Sequence, residues 1–78
     1  MKIGMILTLK TISLNEEHEQ IYTCKLIDET EKYLIVTLPV EDETRRTKIL
    51  TKGTKLFVQF IKEKHAVYQF ESEVINNN

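Results

Sequence analysis

The stretch Thr54–Val74, TKLFVQFIKEKHAVYQFESEV, decides the fold. Leu56, Val58 and Phe60 share one face, opposite Lys55 and Gln59. Strict alternation of this kind is the signature of a half-buried strand, because successive side chains point to opposite faces. Glu63, Lys64 and His65 then make a short polar connection that suits a hairpin. Beyond it, Tyr68, Phe70 and Val74 face one way, and Gln69, Glu71 and Glu73 the other. A hairpin centred on Lys64 sets Phe60 opposite Tyr68 and Leu56 near Ser72; a longer loop sets Phe60 opposite Phe70. Either register places three rings within direct or diagonal reach on one face. Phe60 and Phe70 are therefore expected in the core, and Phe57 on the opposite face.

The same period runs back toward the start of the chain. Met5, Leu7 and Leu9 alternate with Thr8 and Lys10 in a strand over about Gly4–Ser13. Tyr22, Cys24 and Leu26 alternate with Thr23 and Lys25 over about Gln20–Asp28. Leu34, Val36 and Leu38 share a face over about Tyr33–Leu38. Polar segments at Leu14–Glu19 and Asp28–Lys32 read as turns. Pro39 marks a strand end or an edge, because it has no N–H to give to a ladder. Residues 40–53 are densely charged, and Thr47–Leu50 reads as a short strand. Thr51-Lys52-Gly53-Thr54 reads as a tight turn, with Gly53 supplying the positive φ. No sustained 3.6-residue apolar period with caps occurs, so helix is limited to a single turn near residues 41–46 at most. The reading is an all-β single domain: a small barrel of about five to six antiparallel strands, closed so that no edge is left open. Its expected core is Met5, Leu7, Leu9, Tyr22, Leu26, Leu34, Val36, Leu56, Val58, Phe60, Tyr68, Phe70 and Val74.

Composition narrows the function. The 78 residues are 41% hydrophobic and 29% charged, with 11 basic and 12 acidic side chains and a formal charge of −1. That balance fits one globular domain and gives no electrostatic reason to expect a nucleic-acid or anionic-membrane partner. No apolar run approaches the roughly 20 residues of a bilayer span, and the apolar start lacks a long h-region and a cleavage site. With a single cysteine no internal disulfide forms, so a cytoplasmic location is expected.

Few residues carry chemistry. Cys24 falls on the apolar inner face, where burial keeps a thiol protonated and inert, and a structural role is expected. His18 and His65 lie in polar connections, and Cys24 does not complete a zinc set with them. Glu16, Glu17 and Glu19, and again Glu41, Asp42 and Glu43, lack the glycine of a calcium loop and read as solvated acids. Neither a catalytic nor a metal site is expected. Arg45 and Arg46 are the sharpest polar feature. Adjacent arginines grip phosphate well, and the alternative is a loop pair offsetting the acids before it. Ile6, Ile12, Ile21, Ile27, Phe57, Ile61 and Val67 fall opposite the core set, and part of that face suits a partner. Arg45, Arg46, Phe57 and Ile61 are accordingly the candidate contacts.

The segments IGMILTL (3–9), YTCKLID (22–28), YLIVTLP (33–39), GTKLFVQF (53–60) and VYQFESEV (67–74) occur in an order and spacing that resemble the N-terminal domain of flagellar-brake proteins of the YcgR type, closest to their Bacillus-like branch. The resemblance covers about residues 3–75. It implies an accessory β-barrel over 1–75, with 76–78 at the start of a linker to a C-terminal PilZ domain that is absent here. In such proteins the PilZ domain binds cyclic di-GMP through an RxxxR segment and a D/NxSxxG motif, and the loaded protein slows the motor by engaging a flagellar stator or rotor protein. Neither motif is present, and Arg45-Arg46-Thr47-Lys48 does not match the first. No cofactor is therefore expected on this chain; cyclic di-GMP belongs to the full-length family protein. The resemblance implies as partners the PilZ domain of the same polypeptide and a motor protein, with no nucleic acid and no membrane insertion. Two other readings stay open beside it: a small barrel that binds single-stranded nucleic acid, and one that binds flavin.

Overall fold

A computed structural model describes residues 1–12, 20–62 and 66–75. Among the described residues six antiparallel strands carry the fold: β1 (Ile6–Thr11), β2 (Ile21–Glu29), β3 (Leu34–Val36), β4 (Val40–Glu41), β5 (Lys55–Lys62) and β6 (Ala66–Glu73). No helix occurs among the described residues. The strands form one sheet in the order β3-β2-β1-β5-β6, with β4 also on β2. The all-β fold read from the sequence is borne out.

The β5–β6 hairpin takes the shorter of the two loops weighed above: Phe60 pairs with Tyr68, Leu56 with Ser72, and Lys62 with Ala66. The turn before β5 also forms as expected. Thr54 N–H donates to the Thr51 carbonyl at 3.1 Å, and Gly53 takes φ 91°. Such a turn needs a positive φ at its third residue, which glycine adopts without a steric penalty.

The first strand is shorter than its alternation suggests. Gly4, at φ 90°, turns the chain, and its N–H donates to the Leu26 carbonyl at 2.7 Å. Residues 34–41 run along β2 in two pieces. Leu26 pairs with Val36 and Thr23 with Val40, while Pro39 sits buried between β3 and β4. Thr37 bridges the pieces, donating its N–H to the Lys25 carbonyl at 2.9 Å. The short strand expected over Thr47–Leu50 is not formed. Thr47 makes one isolated bridge to Val40, and the two-residue strand β4 stands before the charged turn rather than after it.

Leu7, Leu9, Tyr22, Cys24, Leu26, Leu56 and Val58 are buried together on one face of β1, β2 and β5. Met5, Leu34, Val36, Leu50, Phe60 and Val74 pack against them. Burying these side chains supplies the main driving force for folding. Two expected core residues lie outside: Tyr68 keeps 46% of its surface exposed and Phe70 37%. The reason is topological. Among the described residues the sheet does not close, β6 pairs only with β5, and nothing lies across β6's inner face. Tyr68 and Phe70 therefore lean on Phe60 instead, stacked at 5.4 Å between centroids for Tyr68 and edge-on at 6.3 Å for Phe70.

Candidate interaction surfaces

The sheet order separates the four candidate contacts into two places. Arg45 and Arg46 follow β4, at the β2 edge. Phe57 and Ile61 lie on β5, beyond β2 and β1. With strands about 4.8 Å apart, three steps across the sheet amount to roughly 14 Å. The structure does not bring the arginines and the apolar pair together.

The arginine loop is a tight hairpin built by its backbone. Arg45 N–H donates to the Glu41 carbonyl at 2.8 Å, and Glu41 N–H donates to the Arg46 carbonyl at 2.9 Å. Closing it places Arg45 at φ 62°, the left-handed region that L side chains rarely adopt. Both arginine side chains are exposed. Among the described residues no ion pair joins either to a carboxylate, and Asp42 instead accepts a 2.8 Å hydrogen bond from the Thr23 hydroxyl. The pair thus presents two cations at one edge of the sheet.

The second surface is the outer face of β1, β5 and β6. Phe57 is half-buried between its cross-strand neighbours Lys10 and Glu71. Ile61 is 65% exposed and pairs directly with Val67, itself 59% exposed. Ile6, on the same face of β1, is 54% exposed. Sequence alternation placed these residues outside. What it could not show is that Gln59, at the end of the β1–β5 ladder, buries its amide oxygen Oε1 without a hydrogen-bond partner. A buried unsatisfied acceptor costs about 1–3 kcal/mol, so it needs an explanation.

Cys24 is buried against the core and paired across the ladder with Leu7. Burial pushes its thiol up to about 11, so at neutral pH it is a thiol with negligible nucleophilicity. His18, His65, Glu16, Glu17 and Glu19, the turn Leu14–Glu19 and residues 76–78 lie outside the described residues. Among the described residues no cluster of three or more His, Cys, Asp or Glu side chains has metal-site geometry. No described helix is long and apolar enough to cross a membrane.

These features define a class: a small all-β module whose distinctive chemistry lies at its surfaces. The chain belongs to the PilZNR family, described as flagellar protein YcgR, whose sequence profile it matches over residues 2–77. Its fold is similar to that of the Bacillus subtilis inhibitor of motility MotI/DgrA, with a TM-score of 0.81 and 27% sequence identity. The similarity covers 96% of this chain and 35% of that one, so the chain spans about a third of the length of that relative. No curated protein sequence matches the chain. The resemblance to flagellar regulators read from the sequence is thereby borne out.

Proposed function

We propose that the chain is a non-catalytic interaction module of a cyclic di-GMP-responsive regulator of flagellar motility. In this reading residues 1–75 form the accessory domain and residues from 76 begin the linker. The module packs on a PilZ domain of the same polypeptide in the cytoplasm and contributes surface for a stator or rotor protein. The observation that carries the reading is an open sheet with exposed apolar side chains, in a domain of a flagellar-regulator family. Patches of this kind mark contact with another protein surface. The messenger would act by shifting the population of arrangements between the two domains, which changes the surface offered to the motor.

Calorimetry and NMR titration test the division of labour. The chain alone is expected to show no submicromolar binding of cyclic di-GMP, because both messenger motifs are missing from it. A PilZ domain added in trans is expected to shift amide signals of exposed apolar residues such as Ile61 and Tyr68. A submicromolar dissociation constant for the messenger on this chain, or a PilZ domain that shifts none of these signals, overturns the reading.

A further inference from the structure

Among the described residues β6 has β5 as its only neighbour, and the two pair without a break from Lys62–Ala66 to Lys55–Glu73. Past the end of that ladder Val74 N–H donates to the Thr54 carbonyl at 2.9 Å, so the backbone groups of Val74 point toward β5. Backbone direction alternates along a strand. Ser72, Phe70 and Tyr68 therefore bond β5 as well, while Val67, Gln69, Glu71 and Glu73 turn their N–H and C=O groups to the free edge. Such an edge is a template for a further strand. On the inner side of the same strand Tyr68 and Phe70 stay partly exposed.

The order of side chains along β6 is self-complementary. A two-fold axis through Gln69, normal to the sheet, sets a second β6 antiparallel to the first. Gln69 meets Gln69 of the second copy, and Val67 meets its Glu71. These outward-facing positions exchange about six main-chain hydrogen bonds. Tyr68 then falls directly opposite Phe70 of the second copy, and Phe70 opposite its Tyr68. Both are non-hydrogen-bonded pairs, in which facing side chains approach closest. Phe60, already stacked on Tyr68 at 5.4 Å, extends each row of rings. No carboxylate opposes another: Glu71 faces Val67, and Glu73 lies beyond the overlap of the two strands. Neighbouring registers lose one gain or the other. An axis through Phe70 sets Tyr68 against Ser72, and one through Tyr68 sets Phe70 against Ala66. An axis through Glu71 brings two carboxylates face to face, which is destabilising. Glu71 thus selects a register instead of barring the edge.

We infer that the chain self-associates as a two-fold dimer through β6, a second copy continuing the sheet and covering Tyr68 and Phe70. The contact is a single strand wide, below the roughly 800 Å² per partner of a stable complex, so the dimer is weak and half-formed at about 0.1–1 mM. Ile6 and Ile61 on the outer face, and the arginine turn at the far edge, stay free in it. The inference therefore does not rest on the contacts proposed with a PilZ domain or a motor protein.

The test combines sedimentation equilibrium with cysteine cross-linking on the 78-residue chain. Between about 10 μM and about 1 mM the mass is expected to rise from 9.2 kDa toward twice that value. Gln69→Pro removes no β5–β6 hydrogen bond, because the Gln69 N–H faces the free edge, where proline is tolerated. It is expected to hold the chain at 9.2 kDa with an unchanged circular dichroism spectrum. Gln69→Cys is expected to form a disulfide-linked dimer on mild oxidation, since a hydrogen-bonded pair on the axis places its Cα atoms about 5.5 Å apart, within reach of a disulfide. Glu71→Cys is expected not to, because the two copies of position 71 stand about 13 Å apart along the strands. The native Cys24 is buried and stays out of the reaction. A chain that remains at 9.2 kDa at about 1 mM overturns the inference, as does a folded Gln69→Pro that still dimerises. Cross-linking of Glu71→Cys as fast as Gln69→Cys also overturns it, and these two variants decide the matter if Gln69→Pro unfolds.

Discussion

Leu7 and Phe70 are both inward-facing apolar residues, yet the open sheet gives them different weights. Leu7 is fully buried among Tyr22, Cys24 and Leu26 of β2 and Leu56 and Val58 of β5. Truncating such a leucine to alanine costs about 2–5 kcal/mol, since the cavity collapses only in part. A domain of this size holds about 3–5 kcal/mol in total, so Leu7→Ala is expected to leave it largely unfolded. Phe70 keeps 37% of its surface in water. Full burial of a phenylalanine is worth about 1.5–3 kcal/mol, so roughly two thirds of that is at stake, or about 1–2 kcal/mol. Its edge contact with Phe60 adds about 0.5 kcal/mol, and no sealed cavity forms on the open side. Phe70→Ala should therefore stay folded, with a urea midpoint lower by about 2 M if the urea dependence is about 1 kcal/mol per M. Phe57→Ala, less exposed than Phe70 but on the other face, should lower it by at least as much while costing less than Leu7→Ala. Urea unfolding followed by circular dichroism orders the three. If Phe70→Ala is as damaging as Leu7→Ala, something covers β6's inner face and the sheet is not open. If Phe57→Ala is the worst, the inner and outer faces of β5 are exchanged.

Cys24 should react slowly with a disulfide dye at pH 8 in native protein and rapidly in denaturant; rapid native labelling would show it to be exposed. Its thiol is raised from 9.0 to about 11 in the folded state, so its contribution to stability is complete below pH 9 and is lost as pH rises toward 11. Urea midpoints measured across that window should fall more steeply for the native chain than for Cys24→Ala. Arg45→Asn should raise stability by about 0.5–1 kcal/mol, because asparagine tolerates the left-handed conformation at this position, whereas Arg46→Asn should change it little. Gly53→Ala, at φ 91° with open space around its Cα, should lower stability through backbone strain alone, and thermal unfolding measures all three changes.

Most of the fold was legible because alternation is a local signal. Leu7, Leu9, Tyr22, Leu26, Leu56 and Val58 could be assigned to one face without knowing which strand neighbours which, and the three-residue polar connection fixed Phe60 opposite Tyr68 as one of two registers. Leu50 was missed because it lies in no alternating run. It reaches the core from the loop after Thr47, where Lys48 Nζ also lies 5.9 Å from the Tyr22 ring centroid. The point where the β1–β5 ladder ends, at Thr8 and Gln59, was invisible for a deeper reason. Nothing in Met5–Leu7 or Phe60–Lys62 marks where a ladder stops, because stopping depends on the twist of the sheet and on the different neighbours holding each arm. The separation of Arg45–Arg46 from Phe57–Ile61 likewise depends on strand order, which periodicity does not encode.

Closure was expected because it removes edges, and the strands show why it does not occur. To close, β6 would have to pair with β3. β6 offers eight residues, but β3 offers three before Thr37 and Pro39 interrupt it. Proline has no N–H for the ladder, and beyond it the two residues of β4 have their outer side taken by the Val40–Thr47 bridge. A barrel seam needs matched length and a consistent stagger on both sides, and three residues against eight supply neither. The cost of the missing seam falls on β6. Its outward-facing Glu71 and Glu73 discourage edge-to-edge pairing in registers that bring them together, while its inward Tyr68 and Phe70 stay half in water on Phe60. The interruption at Pro39 thus leaves three rings at the open end of the sheet. A protein surface that covered them would recover the burial that the seam does not provide, which is a physical reason for a domain of this kind to work beside another.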